Sequence, residues 1–281
     1  MRTTLYAGLA GATLFALSTP AFAQDMTTDE PFTGIYVGAA GGYDVQPNDV
    51  GSGILFDRNL DGNFGDTVTT AAGANAFSPG FCNGAARGNA PAAGCRNDKD
   101  GWAYYGRIGA DKQMGKFVVG VVGEFGKSDI TDSVSAFSTT PASYTMTRSL
   151  DWEAGARGRA GYVAGDSTLF YATGGVGYAR INHDFATTNT ANAFGLRGKR
   201  NQWGIQAGGG IEQKLGSNFS IGMEYLYHRY DDDDFRVRAT AGSAPATNPF
   251  ILAPNTTGTD FARSDQRFGW HSIRATAAFR F

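Results

Sequence analysis

The most pointed chemistry in the sequence lies in one run of acids and amides. Asp57, Asn59, Asp61 and Asn63 put an oxygen-bearing side chain at every second position, with Gly62 placed for a sharp turn. That is the spacing at which hard oxygen ligands converge on a calcium ion. The twelfth position, where a bidentate Glu belongs, is Val68, so Asp66 or a residue elsewhere in the loop would have to complete the candidate ligand set. The same residues also compose an ordinary Asn, Asp and Gly-rich turn, and both readings stand. No other cofactor is indicated. His183, His228 and His271 are scattered over different segments, so haem ligation through one of them is allowed by chemistry but not pointed to by spacing.

Two further sets could react. Cys82 and Cys95 sit close together in a Gly, Ala and Asn-rich stretch that offers too few ligands for a metal and no base for a catalytic thiol. A loop-stapling disulfide is the expectation. A hydrolase would need a Ser, a His and an acid on one face, but the neighbours His271 and Ser272 point to opposite faces of a strand. The sequence therefore reads as non-enzymatic.

A third set is charged. Arg107, Arg157, Arg159 and Arg274 fall in mid-segment among alternating apolar residues, as do Glu124, Glu212 and Glu224. An Arg or Lys on the lipid face at the bilayer midplane costs about 2–4 kcal/mol, so these groups are expected to face inward and to pair. A proton or solute relay would use the same residues. Charge-paired filling is the favoured reading, because a narrow barrel must fill its interior with something.

The elements that position these groups are eight segments with period-two alternation: 34–45, 102–113, 117–128, 148–163, 168–182, 201–215, 218–230 and 267–281. Short and long separators alternate between them, as expected of an eight-stranded antiparallel transmembrane β-barrel with short periplasmic turns and long extracellular loops. In the fourth segment Leu150, Trp152, Ala154 and Ala156 should share the lipid face, opposite Asp151, Glu153, Arg157 and Arg159. The fifth is ambiguous. Inward glycines such as Gly38, Gly120, Gly208 and Gly210 should make room for long side chains. Tyr104, Trp152, Tyr178, Trp203, Tyr225, Tyr227 and Trp270 are expected in interfacial girdles. The acidic run from Asp231 to Asp234 reads as a solvated strand end, with cation bridging to lipopolysaccharide phosphates as the alternative.

Arg2, the apolar run from Leu5 to Leu17 and the small-residue stop at Ala21 and Ala23 form a secretory signal peptide over 1–23. Residues 24–33 then form a periplasmic lead-in and 34–281 one barrel, with no second domain expected. Forty glycines and a net charge of −2 give no case for nucleic acid.

The stretch from Ile273 to Phe281 alternates and ends on phenylalanine. With the leader and the opening Phe32-Thr-Gly-Ile-Tyr-Val-Gly-Ala-Ala-Gly-Gly-Tyr43, it resembles the bacterial outer-membrane β-barrel family, above all the small OmpA and OmpX-like barrels and alphaproteobacterial surface antigens. The resemblance covers essentially the whole mature chain. It implies an outer-membrane location, contact with outer-membrane lipids and lipopolysaccharide, and recognition of Phe279 and Phe281 by the barrel-assembly machinery. Envelope integrity and surface interaction are the implied function, with a narrow porin-like channel for ions or small solutes as the alternative.

Overall fold

A computed structural model describes residues 30–48 and 50–281. The expected signal peptide and the first part of the lead-in lie outside the described residues. Eight strands run β1 (Gly34–Val45), β2 (Gly101–Met114), β3 (Phe117–Ser128), β4 (Ala142–Ala164), β5 (Thr168–Thr187), β6 (Asn201–Lys214), β7 (Phe219–Asp231) and β8 (Arg267–Arg280). Each pairs antiparallel with the next, and β8 returns to β1 from Tyr36↔Arg280 to Val45↔His271. The sheet closes, so no strand edge leaves backbone groups unpaired against hydrocarbon. Among the described residues no helix is long and apolar enough to cross a membrane.

Alternation sorts the faces as the charges require. Val119, Val121 and Phe125 of β3, Ile205 of β6, and Ile221 and Met223 of β7 are exposed on the barrel wall, whereas Glu124, Gln206 and Glu224 are buried within it. Two aromatic levels bound the apolar band. Phe117, Phe170, Phe219 and Phe279 are exposed at the turn end. At the loop end Trp152 meets Phe125 at 5.7 Å and Tyr178 at 6.0 Å, and Tyr178 meets Trp203 at 4.8 Å. Phe117 and Phe125 lie about 26 Å apart along their strand at 3.3 Å per residue, which tilt shortens to roughly 20 Å of membrane depth. Trp270 departs from expectation: it is fully buried inside the barrel, because its parity on β8 is that of Ser272 and Arg274.

The turn ends are tight because glycine permits them. Gly115, between β2 and β3, has φ 62°, and Gly165, between β4 and β5, has φ 64°. Both sit in the left-handed region that hairpin turns require.

Strand β4 breaks its own alternation. Arg180 pairs with Trp152 but the next residue, Ile181, pairs with Leu150, so Asp151 is extruded as a β-bulge. The bulge inverts parity above it. Leu150 and Arg148 therefore point inward, and Asp151 turns out toward Arg180 at 3.5 Å. The expected placing of Leu150 beside Trp152 and of Asp151 inside is corrected by that single extra residue. The fifth strand is resolved as well: Leu169, Tyr171, Thr173, Ala179 and Ile181 are buried, and Phe170 and Val176 are exposed.

The long loops are ordered. Ala193–Arg197, Arg236–Thr240, Thr259–Arg263 and Ile54–Asp57 form a four-stranded antiparallel sheet contributed by three different loops. Thr131–Ser138 pairs with the upper part of β4, and Gly80–Asn83 adds to its free edge. Between these layers lies an apolar core containing Phe56, Phe77, Tyr144, Phe250 and Phe261. Phe56 stands 4.3 Å from Phe77 and 5.0 Å from Phe261, centroid to centroid. The molecule is thus a barrel with a separate hydrophobic core in its cap, larger than any apolar cluster inside the barrel.

Candidate functional site

The barrel interior is the most heavily built site, and it is stratified. At the turn end Phe32 is fully buried against Val118, Val163, Leu169 and Tyr171, so the residues just before β1 tuck under the barrel as an apolar floor. The backbone NH of Phe32 donates to Gln113 Oε1 at 3.1 Å, and Arg280 Nη1 donates to the Phe32 carbonyl at 2.7 Å.

Above the floor come the charges. Arg159 donates to Asp111 Oδ1 at 2.7 Å and to Glu212 Oε2 at 2.8 Å, and Arg280 Nη2 lies 2.8 Å from Asp111. One step higher, Glu224 takes Arg107 at 3.3 Å, Arg157 at 3.2 Å and the Tyr171 hydroxyl at 2.9 Å. Glu124 takes Arg157 at 2.9 Å and Arg274 at 3.1 Å. Every member of the inferred network, Arg107, Glu124, Arg157, Arg159, Glu212, Glu224 and Arg274, is buried and paired. Asp111 and Arg280 belong to it too, and their parity with Arg107 and Arg274 was the signal that could have found them.

Glycines facing inward leave the space. A Cβ at Gly120 would strike the Asp111 carboxylate, one at Gly210 would lie 2.7 Å from the Tyr171 hydroxyl, and one at Gly109 would lie 2.3 Å from the Tyr36 ring. At Gly38 and Gly208 the neighbouring strand's carbonyl would be struck instead, at 2.2 and 1.9 Å. Tyr36 and Tyr171 in turn flank the Arg159 guanidinium at 4.9 and 5.1 Å, which adds cation–π attraction where water is excluded.

The upper interior brings together a Ser, a His and an acid that local parity did not suggest. His228 Nδ1 lies 3.2 Å from Glu153 Oε2, and its Nε2 lies 3.4 Å from Ser272 Oγ. The partner of Ser272 is thus His228 on the adjacent strand, a cross-strand neighbour that the comparison of Ser272 with His271 does not reach. The arrangement is not poised for attack. Ser272 donates its hydroxyl to Asp44, and Arg274 Nη2 approaches His228 Nε2 at 2.7 Å. Arginine only donates, so Nε2 accepts, and the nitrogen a general base would use is occupied. Trp270 stacks on the imidazole at 4.7 Å, and Ser272, His228 and Glu153 are all buried.

An apolar roof of Ile130, Leu150, Ala179, Ile181, Phe268 and Trp270 closes over this layer. Above the roof a second charged cluster joins barrel to cap. Arg148, fully buried, bonds Asp132 at 2.7 Å, Asp265 at 3.0 Å and the Arg267 carbonyl at 2.6 Å, and Arg263 Nη1 donates to the Met146 carbonyl at 3.0 Å. Asp232 lies 3.6 Å from Arg148 Nη1 and 2.8 Å from His183 Nε2, so one member of the acidic run at 231–234 is a buried ion-pair partner and not a solvated strand end. Burial raises the Asp132 carboxyl, but the guanidinium groups of Arg148 and Arg263 more than offset it and leave it below the usual range.

Asp98 is the discordant member. Burial, then the charge of Asp132, push its carboxyl up to about 7, against the Ser133 amide that donates to Oδ1 at 2.7 Å and the guanidinium groups of Arg263 and Arg148. Its folded pKa lies above the unfolded value near 4, so the folded state holds a proton that the unfolded chain releases between about pH 4 and pH 7. The Asp98 contribution to stability is therefore full at the acidic end and is lost as pH rises through 7. Limited proteolysis of the cap should run faster at pH 8 than at pH 6, and Asp98→Asn should flatten that difference. An unchanged pH dependence in the variant would show that Asp98 does not set it.

The remaining sequence candidates lie in the cap. Cys82 and Cys95 are joined in a disulfide. Asp57 receives the amides of Asp61 and Gly62 at 3.2 and 2.8 Å, Asn59 Oδ1 that of Asp61 at 3.1 Å, Asp61 that of Asn63 at 2.8 Å and Asp66 that of Arg58 at 2.8 Å. These oxygens serve as turn acceptors for backbone NH groups. Among the described residues no three His, Cys, Asp or Glu side chains group as a metal site. Phe279 near the end of the last strand and Phe281 just past it are exposed, 5.2 Å apart.

No family model matches the chain. Over 110 residues it is 29% identical to the 31 kDa outer-membrane immunogenic protein of Brucella melitensis, and equally to that of Brucella suis, a stretch covering 39% of this chain and 45% of each relative. The match thus spans less than half the length of these relatives. Among solved structures, OprG from Pseudomonas aeruginosa is similar at 14% identity and a TM-score of 0.49, covering 89% of this chain and 96% of that one. OmpT, the outer membrane protease of Escherichia coli, aligns at 9% identity and a TM-score of 0.40, over 91% and 99% of the two chains.

Proposed function

Because the chain is a bacterial outer-membrane β-barrel protein, we propose that it serves as a non-enzymatic, non-conducting anchor that supports envelope integrity and holds an ordered platform at the cell surface for interaction. The observation that carries this reading is the pairing of a filled lumen with a cap that has a hydrophobic core of its own. A channel has no use for arginines and glutamates locked in mutual contact across its bore. Loops serving only to join strands have no use for a shared four-stranded sheet.

The cap is the interacting part, and outer-membrane lipid, including lipopolysaccharide, is the barrel's surroundings. The alternating last strand with Phe279 and Phe281 is the segment the assembly machinery would read. The test compares cells lacking the protein with cells expressing a form whose four loops are replaced by tight turns. The capless barrel should restore resistance to detergents and large antibiotics but not surface attachment. Attachment that survives removal of the cap would overturn the platform role, and a barrier indifferent to the whole protein would overturn the structural one.

A further inference from the structure

Two arginines sit at the outer rim of the barrel wall without an ion pair among the described residues. Arg229 and Arg267 lie on the outer wall of β7 and β8, where register sets Arg229 against Gly269, Asp231 against Arg267 and Tyr227 against His271. Neither guanidinium has an ion-pair or hydrogen-bond partner among the described residues. Asp231 lies across from Arg267 without an ion pair to it, and Asp265 is turned to Arg148 and to the Arg267 backbone NH at 3.1 Å.

His271 shares the patch. Its Nδ1 lies 2.6 Å from the Tyr225 hydroxyl, so with the tyrosine donating, Nε2 is left to point a hydrogen outward. Beside Arg229, a cavity of about 630 Å³ is walled on one side by Tyr227, Asp265, Arg267 and His271 and on the other by Pro47, Asn48, Val50, Gly51 and Ser52. Gly269, the cross-strand neighbour of Arg229, lines the same cavity. His271 pairs across to Val45, two residues beyond Tyr43 and its partner Trp102, which places the patch at the loop-side aromatic level. Directly below it the wall is apolar, with Met223 and Ile273 exposed.

We propose that this patch is a binding site for the phosphate of an outer-leaflet lipid headgroup, held by Arg229, Arg267 and His271 with the acyl chains lying on Met223 and Ile273. Guanidinium groups match phosphate oxygens bidentately, and a rim at headgroup depth meets phosphate at high local concentration. The apolar wall beneath favours an amphiphile over a free ion. The proposal rests on the barrel's place in the outer membrane and not on whether it conducts or what the cap contacts.

The probe is bisphosphorylated lipid A in phosphatidylcholine nanodiscs holding the full protein, with bound lipid counted by native mass spectrometry. The double variant Arg229→Gln/Arg267→Gln should lose about tenfold or more in retained lipid, and replacement of both by Lys, which keeps the charge but not the bidentate fork, should recover only part of it. Arg180→Gln, at an ion-paired rim position on β5, should change nothing. Heat-modifiable gel mobility confirms that each variant is folded. Lipid A stripped of phosphate should bind poorly, and millimolar inorganic phosphate should compete only weakly. Wild-type retention by the Gln pair, equal binding of phosphate-free lipid, equal loss in Arg180→Gln, or full displacement by inorganic phosphate would each overturn the site.

Discussion

Glu224→Ala should lower the refolding stability of the barrel by about 3–5 kcal/mol, the cost of leaving buried guanidinium charge without its counter-ion. Glu224 is the shared acceptor of Arg107, Arg157 and the Tyr171 hydroxyl, and all four groups are buried. Arg107 retains Glu124 at 3.3 Å, but Glu124 must then serve Arg107, Arg157 and Arg274 together. Urea titration of the protein refolded in lipid vesicles reads the loss. Adding Arg157→Met to the same protein should recover about half of it, because the second substitution removes one of the stranded charges. A single variant within about 0.5 kcal/mol of the wild type would mean that the interior is wet enough to solvate its arginines, and the filled-lumen account would fail.

The second large effect should be local to the cap. Phe261 is fully buried at the centre of the loop sheet and meets Phe56 at 5.0 Å and Phe250 at 5.3 Å. Phe261→Ala should cost about 3–5 kcal/mol of cap stability through lost burial and the cavity left behind. The barrel core shares no residue with that cluster, so its urea midpoint should stay put while protease sensitivity of residues 54–83 and 236–263 rises steeply. Loops cleaved equally fast in wild type and variant would show that the cap core contributes nothing.

The barrel strands were legible because period-two alternation is a local property and each strand carries its own copy of it. The network was legible for the same reason: an Arg or Glu at mid-strand has only one face on which it can be tolerated. What stayed hidden was non-local. The cap strand at 54–57 pairs with 259–263, and segments of four or five residues such as Ile54–Asp57 carry too short a pattern to announce a strand, let alone its partner.

The misreadings have different causes. Parity counted along a strand assumes an unbroken pleat, and the bulge at Asp151 broke it, which moved Leu150 and Arg148 inside. Trp270 was read by residue type, yet its parity puts it on the imidazole of His228. The juxtaposition of Ser272 with His228 lies across a strand pair, where inspection of sequence neighbours does not look. The fifth strand was ambiguous because its inward residues include Leu169 in the floor and Ile181 in the roof, so both of its faces are apolar.

Single-channel recording of the refolded wild-type protein in a planar bilayer bears most directly on the filled interior. The expected trace is a baseline without a stable open level, because the floor at Phe32, the paired charges and the roof at Trp270 occupy successive depths of the bore. A reproducible, long-lived conductance of uniform size, carried by protein whose fold is verified by heat-modifiable mobility, would contradict it.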